Sequence, residues 1–77
     1  MANRDDLKEW VYQAVRQHAG QTKLIKVARY IWETYEQELR RSGDLFYTWQ
    51  YEMRWAAQRL RNEGRLTLAG RDWALKR

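Results

Sequence analysis

The sequence predicts a single, mainly helical domain with a small β-hairpin, and three observations lead to this fold class. Up to residue 63, apolar residues recur every three or four positions in three successive segments, as on amphipathic helices. From residue 65 onward the apolar residues alternate with polar ones, which is typical of strands. Gly20, Gly43, Gly64 and Gly70 separate these segments, and there is no proline. We therefore expect a three-helix core followed by a hairpin.

The first helix is expected at about residues 4–19. Asn3 is a suitable N-cap because its side chain can accept a hydrogen bond from the first helical turn. Asp5 and Asp6 lie in that turn, where negative charge is favourable. The apolar face comprises Leu7, Trp10, Val11, Ala14, Val15 and His18. Because His18 falls in the last turn of this helix, we expect it to serve the helix end and not catalysis.

The second helix is expected at about residues 24–41. Its buried stripe is predicted to comprise Leu24, Ile25, Val27, Ala28, Ile31, Trp32, Tyr35 and Leu39. Lys26 and Arg29 lie on the opposite, polar face. Two alternatives stay open for the preceding residues: Gln21 and Thr22 form a very short strand, or Thr22 caps the helix.

The third helix is expected at about residues 47–63 and includes the run "FYTWQYEMRW", in which five of ten residues are aromatic. The predicted core face is centred on Trp49, with Phe46 at its edge, and continues through Met53, Ala56, Ala57 and Leu60. The other side of the helix carries the remaining residues, which are Tyr47, Tyr51, Arg54, Gln58, Arg61 and Asn62. Trp55 also lies on that side, nearer its edge. The aromatic run therefore divides into buried and exposed rings.

A β-hairpin is expected at about residues 65–76, with its connection at residues 69–72. Period-two alternation predicts one shared apolar face made of Leu66, Leu68, Trp73 and Leu75. Because an isolated hairpin is marginally stable in water, this face is expected to pack on the helices.

The composition excludes several classes of function. There is no cysteine and only one histidine, so neither a disulfide nor a common metal site is expected. Glycine-rich phosphate loops and nucleophile motifs are absent, so we expect no enzymatic activity and no cofactor. No stretch has the length of a membrane span, and the N-terminus lacks the order of a signal peptide. We expect a cytoplasmic protein that binds neither a membrane nor a small-molecule ligand.

The charge distribution suggests a polyanionic partner. The net charge is +5, and residues 42–77 contribute seven basic and four acidic residues. A basic surplus toward one end of a chain is typical of proteins that bind nucleic acid. The alternative is that the surplus arginine only keeps a small protein in solution.

Two stretches carry a resemblance to a known family. Residues 51–77, "YEMRWAAQRLRNEGRLTLAGRDWALKR", and residues 27–35, "VARYIWETY", resemble the N-terminal winged helix-turn-helix domain of Mrr-type restriction proteins. In that family an Arg-Trp-Ala run in the third helix leads to a leucine, a glycine and a short strand. A Gly-x-x-Trp-x-Leu sequence follows in the second strand of the hairpin, which is the wing.

The resemblance covers about residues 7–75 and implies a winged helix-turn-helix fold in a bacterial or phage protein that binds DNA. The sequence departs from the usual motif in its long second helix and in the longer connection at residues 42–46. No nuclease domain follows within these residues, so DNA cleavage is not implied. We expect a role in regulating transcription or organising DNA.

In such a domain the third helix enters the major groove of double-stranded DNA and the wing contacts the backbone or the minor groove. The predicted groove-facing residues are Tyr47, Thr48, Gln50, Tyr51, Arg54 and Gln58. Arginine and glutamine suit this face because they pair with guanine and adenine edges. Arg61 and the wing residue Arg71 are expected to meet phosphate. The residues expected to hold the flanking backbone are Lys23, Lys26 and Arg29.

Acidic residues supply one argument against this site. Glu52 and Asp72 lie near the proposed surface and are expected to repel phosphate. Under this alternative, Arg54 and Arg61 only solvate an exposed helix face.

The exposed aromatic residues leave two further alternatives open. Tyr47, Tyr51 and Trp55 can stack on the bases of a single strand, although a convex helix is not the usual platform. Trp55 can instead join Tyr12 and Tyr30 in a protein interface, because exposed aromatics are enriched at such surfaces. The protein would then be a winged-helix interaction module, either an adaptor or a homodimer, without direct DNA contact.

Overall fold

The computed structural model describes residues 2–76. Residues 1 and 77, which the predicted domain also includes, lie outside the described part. The chain folds into three helices and a three-stranded antiparallel sheet, which confirms the mainly helical class. The elements in chain order are α1 (Arg4–Gln17), β1 (Gln21–Thr22), α2 (Leu24–Arg40), α3 (Leu45–Asn62), β2 (Leu66–Ala69) and β3 (Asp72–Leu75). Within residues 2–76, no helix combines the length and the apolar character that a membrane crossing requires.

A reciprocal capping box begins α1 and confirms the predicted N-cap. The Asn3 side chain accepts a hydrogen bond from the Asp6 backbone N–H at 2.9 Å, and the Asp6 carboxylate accepts one from the Asn3 N–H at 3.1 Å. The helix ends two residues before the predicted position because Ala19 and Gly20 have φ values of 63° and 84°. This left-handed backbone lets the Gly20 N–H bond to the Val15 carbonyl and close the helix end.

The residues before α2 form a strand, which decides between the two alternatives for Thr22. Gln21 pairs with Ala74 and Thr22 pairs with Trp73, so β1 extends the predicted hairpin to a sheet of order β1-β3-β2. Lys23, and not Thr22, occupies the N-cap of α2, and it makes no side-chain capping bond. The result is that β3 is paired on both edges.

The connection between α2 and α3 spans residues 41–44, because α3 begins two residues earlier than predicted. Gly43 adopts a φ of 59° within it. Ser42 is buried, and its hydroxyl donates to the Glu38 carbonyl and accepts from the Ala2 N–H. This serine therefore fixes the N-terminal end of the chain against the connection.

The core forms where the apolar faces of the three helices meet the base of the hairpin. Trp49 and Met53 are buried as predicted, and Phe46 is partly buried against them. The side chains with no exposed surface are Leu7, Val11, Ala14, Val15, Val27, Ile31, Leu39, Ala57 and Leu60. Leu66 and Trp73 join them from the sheet. The core thus holds α3 by one face and leaves its other face in solvent.

Two apolar residues predicted to be buried are exposed. Ile25 is 68% exposed because it lies about 120° around α2 from the buried Ile31, outside the stripe. Leu68 is 52% exposed, whereas Leu66 at the start of the same strand is buried. The end of the edge strand β2 is therefore exposed, whereas the central strand β3 is covered up to Trp73, which is buried beside the turn.

Candidate nucleic-acid interface

The outer face of α3 carries most of the residues predicted to face a groove. Tyr47 is 83% exposed and Tyr51 is 63% exposed, as the helical wheel predicts. Gln50 and Arg54 are also exposed, whereas Gln58 is half-buried. These residues face outward because the opposite side of α3 is committed to the core.

Three of the predicted DNA-binding arginines come together around one cleft. Arg54 and Arg61 of α3 and Arg71 of the β2–β3 turn line an open cavity of about 650 Å³. Its remaining lining residues are Leu24, the first residue of α2, and Trp73 of β3. The arginine cleft, defined by these five residues, lies where the start of α2, the outer face of α3 and the turn of the hairpin meet.

The cleft arginines lack acidic partners. Among residues 2–76, no carboxylate lies within 4.0 Å of the charged groups of Arg54, Arg61 or Arg71, and the same holds for Lys23 and Lys26. Unpaired guanidinium groups at one cleft create a positive potential that attracts an anion. Arg29 differs, because it faces Glu33 at 3.9 Å and lies beside a separate groove.

Most of the carboxylates near α3 are used on its opposite flank, against α1. Arg59 bonds to Asp5 at 2.7 Å, and Lys8 bonds to Glu63 at 2.7 Å. Glu52 pairs with Arg4 at 3.0 Å, and its side chain is only 13% exposed. The two helices therefore neutralise one another where they pack, whereas Arg54, Arg61 and Arg71 at the arginine cleft have no such partners within residues 2–76.

The two acidic residues expected to repel phosphate are both engaged. Glu52 is directed toward α1, so its charge is compensated away from the cleft. Asp72 is half-buried and accepts a hydrogen bond from the Gln21 side chain at 3.2 Å. Asp72 remains next to Arg71 in the chain, and it is the nearest source of opposing charge at the hairpin turn.

The polar side chains of α3 differ in how free they are to bind a partner. Gln58 accepts a hydrogen bond from Arg61 and donates one to Asn62 at 3.1 Å, so its amide is already committed. Thr48 donates to the Asp44 carbonyl at 3.3 Å. Within the described chain, Gln50 and Arg54 make no side-chain hydrogen bond. These two residues are the most available of the predicted base readers.

A residue that the sequence analysis did not select fixes the hairpin to the helices. Arg65, at the base of the hairpin, donates two hydrogen bonds to the Glu9 carboxylate, at 2.7 and 2.9 Å. Its guanidinium also lies 4.2 Å from the centre of the Tyr12 ring. The hydrogen bond from Arg65 lowers the pKa of Glu9 and raises the pKa of Arg65. No local signal marks this pair, because the two residues lie 56 positions apart.

The exposed aromatic set is smaller than predicted. Tyr12 and Tyr30 were expected to point away from the core, but both are partly buried against it. The Tyr12 ring is covered by Arg65. The Tyr30 and His18 rings are nearly perpendicular, with their centres 6.2 Å apart. Three aromatic residues remain exposed: Tyr47, Tyr51 and Trp55. The Tyr51 and Trp55 rings are steeply inclined to one another, with their centres 6.3 Å apart.

His18 lies at the end of α1, where its ring Nδ1 is 2.8 Å from the Ala14 carbonyl oxygen. The ring is half-buried and bonds to a carbonyl of the last turn, in agreement with the predicted role at the helix end.

Comparison of the chain with protein-family models, with curated proteins and with solved structures gives no match.

Proposed function

We propose that this protein is a winged helix-turn-helix domain that binds double-stranded DNA. The observation that carries the proposal is the arginine cleft, where Arg54, Arg61 and Arg71 converge without acidic partners. The element order and the sheet order β1-β3-β2 are compatible with a winged helix, in which the β2–β3 hairpin is the wing. A regulatory or DNA-organising role in the cytoplasm follows from the proposal.

In the proposed complex α3 docks in the major groove, which is about 12 Å wide and admits one helix. Arg54 and Gln50 project from the exposed face with uncommitted side chains, so they are assigned to the base edges. A guanidinium pairs bidentately with guanine, and an amide with adenine. Tyr47 and Tyr51 flank these two residues on the same face.

The remaining cations are assigned to the DNA backbone. Arg61 and Arg71 approach the cleft from α3 and from the wing, so they can grip phosphates on either side of the groove. Lys23 and Lys26 extend the positive surface along the start of α2. The bidentate bond of Arg65 to Glu9 holds the base of the wing, which reduces the entropy lost when Arg71 meets its phosphate.

The test is a fluorescence-anisotropy titration with a mixed-sequence DNA duplex at about 50 and 200 mM salt. We expect the wild-type affinity to fall steeply with salt. Arg54→Ala should weaken binding about tenfold, because one charge-assisted contact is lost. If that contact is to phosphate, the salt slope should also fall by about one unit.

The matched control is Arg59→Ala, which removes the same charge from the same helix. Arg59 is bound to Asp5 on the α1 side of the helix. Its loss should change DNA affinity by less than about twofold at about 100 mM salt, because charges more than about 10 Å apart are then largely screened. Circular dichroism checks that each variant folds. The absence of binding by folded wild-type protein at the lower salt would refute the proposed function.

A protein-interaction module is the second candidate, and the exposure of Tyr51 and Trp55 favours it. Large apolar groups in solvent are typical of surfaces that another macromolecule covers. Tyr51 and Trp55 share a pocket with Arg54 and Arg61, so the two candidates use neighbouring parts of the same helix surface.

A further inference from the structure

Trp55 differs from the other four tryptophans in how its ring is covered. The others are buried or half-buried, and Trp32, for example, stacks on Trp49 with the two ring planes 9° apart. Trp55 is 53% exposed, and its ring is inclined by 68° to that of Tyr51. Two rings at such an angle do not cover one another's faces. The Trp55 indole therefore has aromatic surface that can stack on another planar group.

Tyr51 and Trp55 border a groove of about 280 Å³ on the outer surface of α3, and the other lining residues are Arg54, Gln58 and Arg61. Successive members of this set are one to four positions apart, which places all five on one strip of the helix. We call this groove, defined by its five lining residues, the stacking groove. It shares Arg54 and Arg61 with the arginine cleft, so the exposed rings and the unpaired cations form one continuous surface.

Both arginines of the stacking groove keep their charge uncompensated. Within residues 2–76, no carboxylate lies within 4.0 Å of either guanidinium. Arg61 donates a hydrogen bond to the Gln58 side chain, which orients its guanidinium without neutralising it. Arg54 and Arg61 are seven residues apart, about 10 Å along the helix axis, and Trp55 lies between them. A strand whose phosphates contact both arginines therefore passes the Trp55 ring.

We propose that the stacking groove binds an unpaired DNA base, so that the protein prefers a duplex containing such a base over a fully paired duplex. In a paired duplex the neighbouring bases cover each base face, and the groove presents only edges. An unpaired base leaves the stack at low cost and can lie on Trp55, while Arg54 and Arg61 hold the adjacent phosphates. The inference rests on the proposed function, because it uses the same arginines.

The dimensions of the stacking groove determine which DNA is preferred. Its two rings are four residues apart on one helix, so it accommodates one base and not a run of bases. Stacking of one base on an aromatic ring contributes on the order of tenfold in affinity and tolerates any base. The paired DNA on either side supplies phosphates to Lys23, Lys26 and Arg71. We therefore expect the tightest binding to a duplex with one unpaired base, then to a paired duplex, and then to a single strand.

The test is a set of fluorescence-anisotropy titrations at about 50 mM salt with three DNAs. These are a paired duplex, the same duplex with one extra adenine at its centre, and one of its single strands. Wild type should bind the bulged duplex about tenfold more tightly than the paired one. The ratio of these two affinities is the readout, because a general loss of binding lowers both. Trp55→Leu should bring the ratio to about one, whereas Trp55→Phe keeps a ring and should retain most of the preference.

Circular dichroism verifies the fold of each variant, and Tyr51→Leu replaces Trp55→Leu if the latter does not fold. Equal affinity of wild type for the bulged and paired duplexes would overturn this inference and leave the proposed function standing. A preference that survives in Trp55→Leu would also overturn it, because the flexibility of the bulged duplex and not stacking would then be the cause. Loss of the preference in Trp55→Phe, or tightest binding to the single strand, would contradict it as well. No binding to any of the three DNAs would refute the proposed function itself.

Discussion

Arg54 and Arg59 lie on the same helix, five positions apart, and their environments are opposite. Arg54 is exposed, without an acidic partner, and lines the arginine cleft. Arg59 is bound to Asp5 of α1 at 2.7 Å. The difference arises from the neighbouring elements, since Asp5 of α1 reaches Arg59, whereas within residues 2–76 no carboxylate lies within 4.0 Å of the Arg54 guanidinium. The basic content of α3 therefore does not distinguish its two sides, whereas the presence or absence of an acidic partner does.

The largest effect is expected from a substitution on the buried face of α3, because this face holds the whole helix in the core. Leu60 has no exposed surface and lies on the core face of α3. Leu60→Ala should lower the free energy of unfolding by about 2–5 kcal/mol, because the lost contacts leave a cavity. Chemical denaturation monitored by tryptophan fluorescence measures the change. A loss below about 1 kcal/mol would mean that α3 is not held by this face.

The next largest effect compares two double variants that remove the same charge. Arg61→Ala with Arg71→Ala should weaken duplex binding roughly a hundredfold, since each removes one charge-assisted contact. Arg4→Ala with Arg59→Ala should change it by less than about threefold, because these arginines are engaged by Glu52 and Asp5. DNA titrations of both variants check the prediction. Equal losses would show that only total charge matters and would remove the distinction between the flanks.

A smaller effect is expected from the ion pair between Arg65 and Glu9, which fixes the hairpin to α1 and whose contribution to stability depends on pH. Because Arg65 lowers the pKa of Glu9 in the folded protein, the pair stabilises the fold above the usual carboxyl value of 4.5. This stabilisation is lost as pH falls through the lowered pKa. Glu9→Gln should reduce stability at neutral pH by about 0.5–1 kcal/mol, given that the pair is partly exposed.

Denaturation curves at neutral pH and well below pH 4.5 measure this effect. At the lower pH, wild type and Glu9→Gln should converge, because both side chains are then neutral. A difference that persists in acid would mean that the Glu9 side chain acts through packing and not through its charge.

The smallest effect is the coupling between Asp5 and Arg59. A double-mutant cycle with Asp5→Asn and Arg59→Ala should give a coupling of about 0.2–0.5 kcal/mol, because both side chains are largely exposed. High salt should reduce it further by screening. The measurement is denaturation of the four proteins in the cycle. A coupling above about 2 kcal/mol would mean that the ion pair, and not the core, holds α1 to α3.

Much of the fold can be predicted from short-range patterns in the sequence. Periodicity and the glycine positions place the ends of all three helices within two residues, since a 3.6-residue repeat and a left-handed glycine act over short range. The short strand β1 was predicted only as one of two alternatives. Gln21 and Thr22 become a strand because they pair with β3, which lies far along the chain. Leu68 was placed wrongly because alternation defines a face but not how far the helices cover it.

The candidate site was predictable as a set of residues but not as an arrangement. The exposed face of α3 follows from its helical wheel, so Arg54 and Arg61 were identifiable as outward-facing. Their convergence with Arg71 depends on how the hairpin docks. Their freedom depends on ion pairs that use the carboxylates elsewhere, formed by residues 48 to 56 positions apart. Such pairing leaves no local pattern, which is why the role of Arg65 was missed.

We propose that the side of α3 without compensating charge is the side that binds DNA. The most direct test follows the backbone amide signals of isotope-labelled protein by NMR during addition of a short mixed-sequence duplex at low salt. We expect the largest shifts at Gln50, Arg54 and Arg61, at the turn around Arg71, and at the start of α2, with little change around Asp5 and Arg59. Shifts centred on Asp5 and Arg59, or no shifts at all, would contradict this proposal.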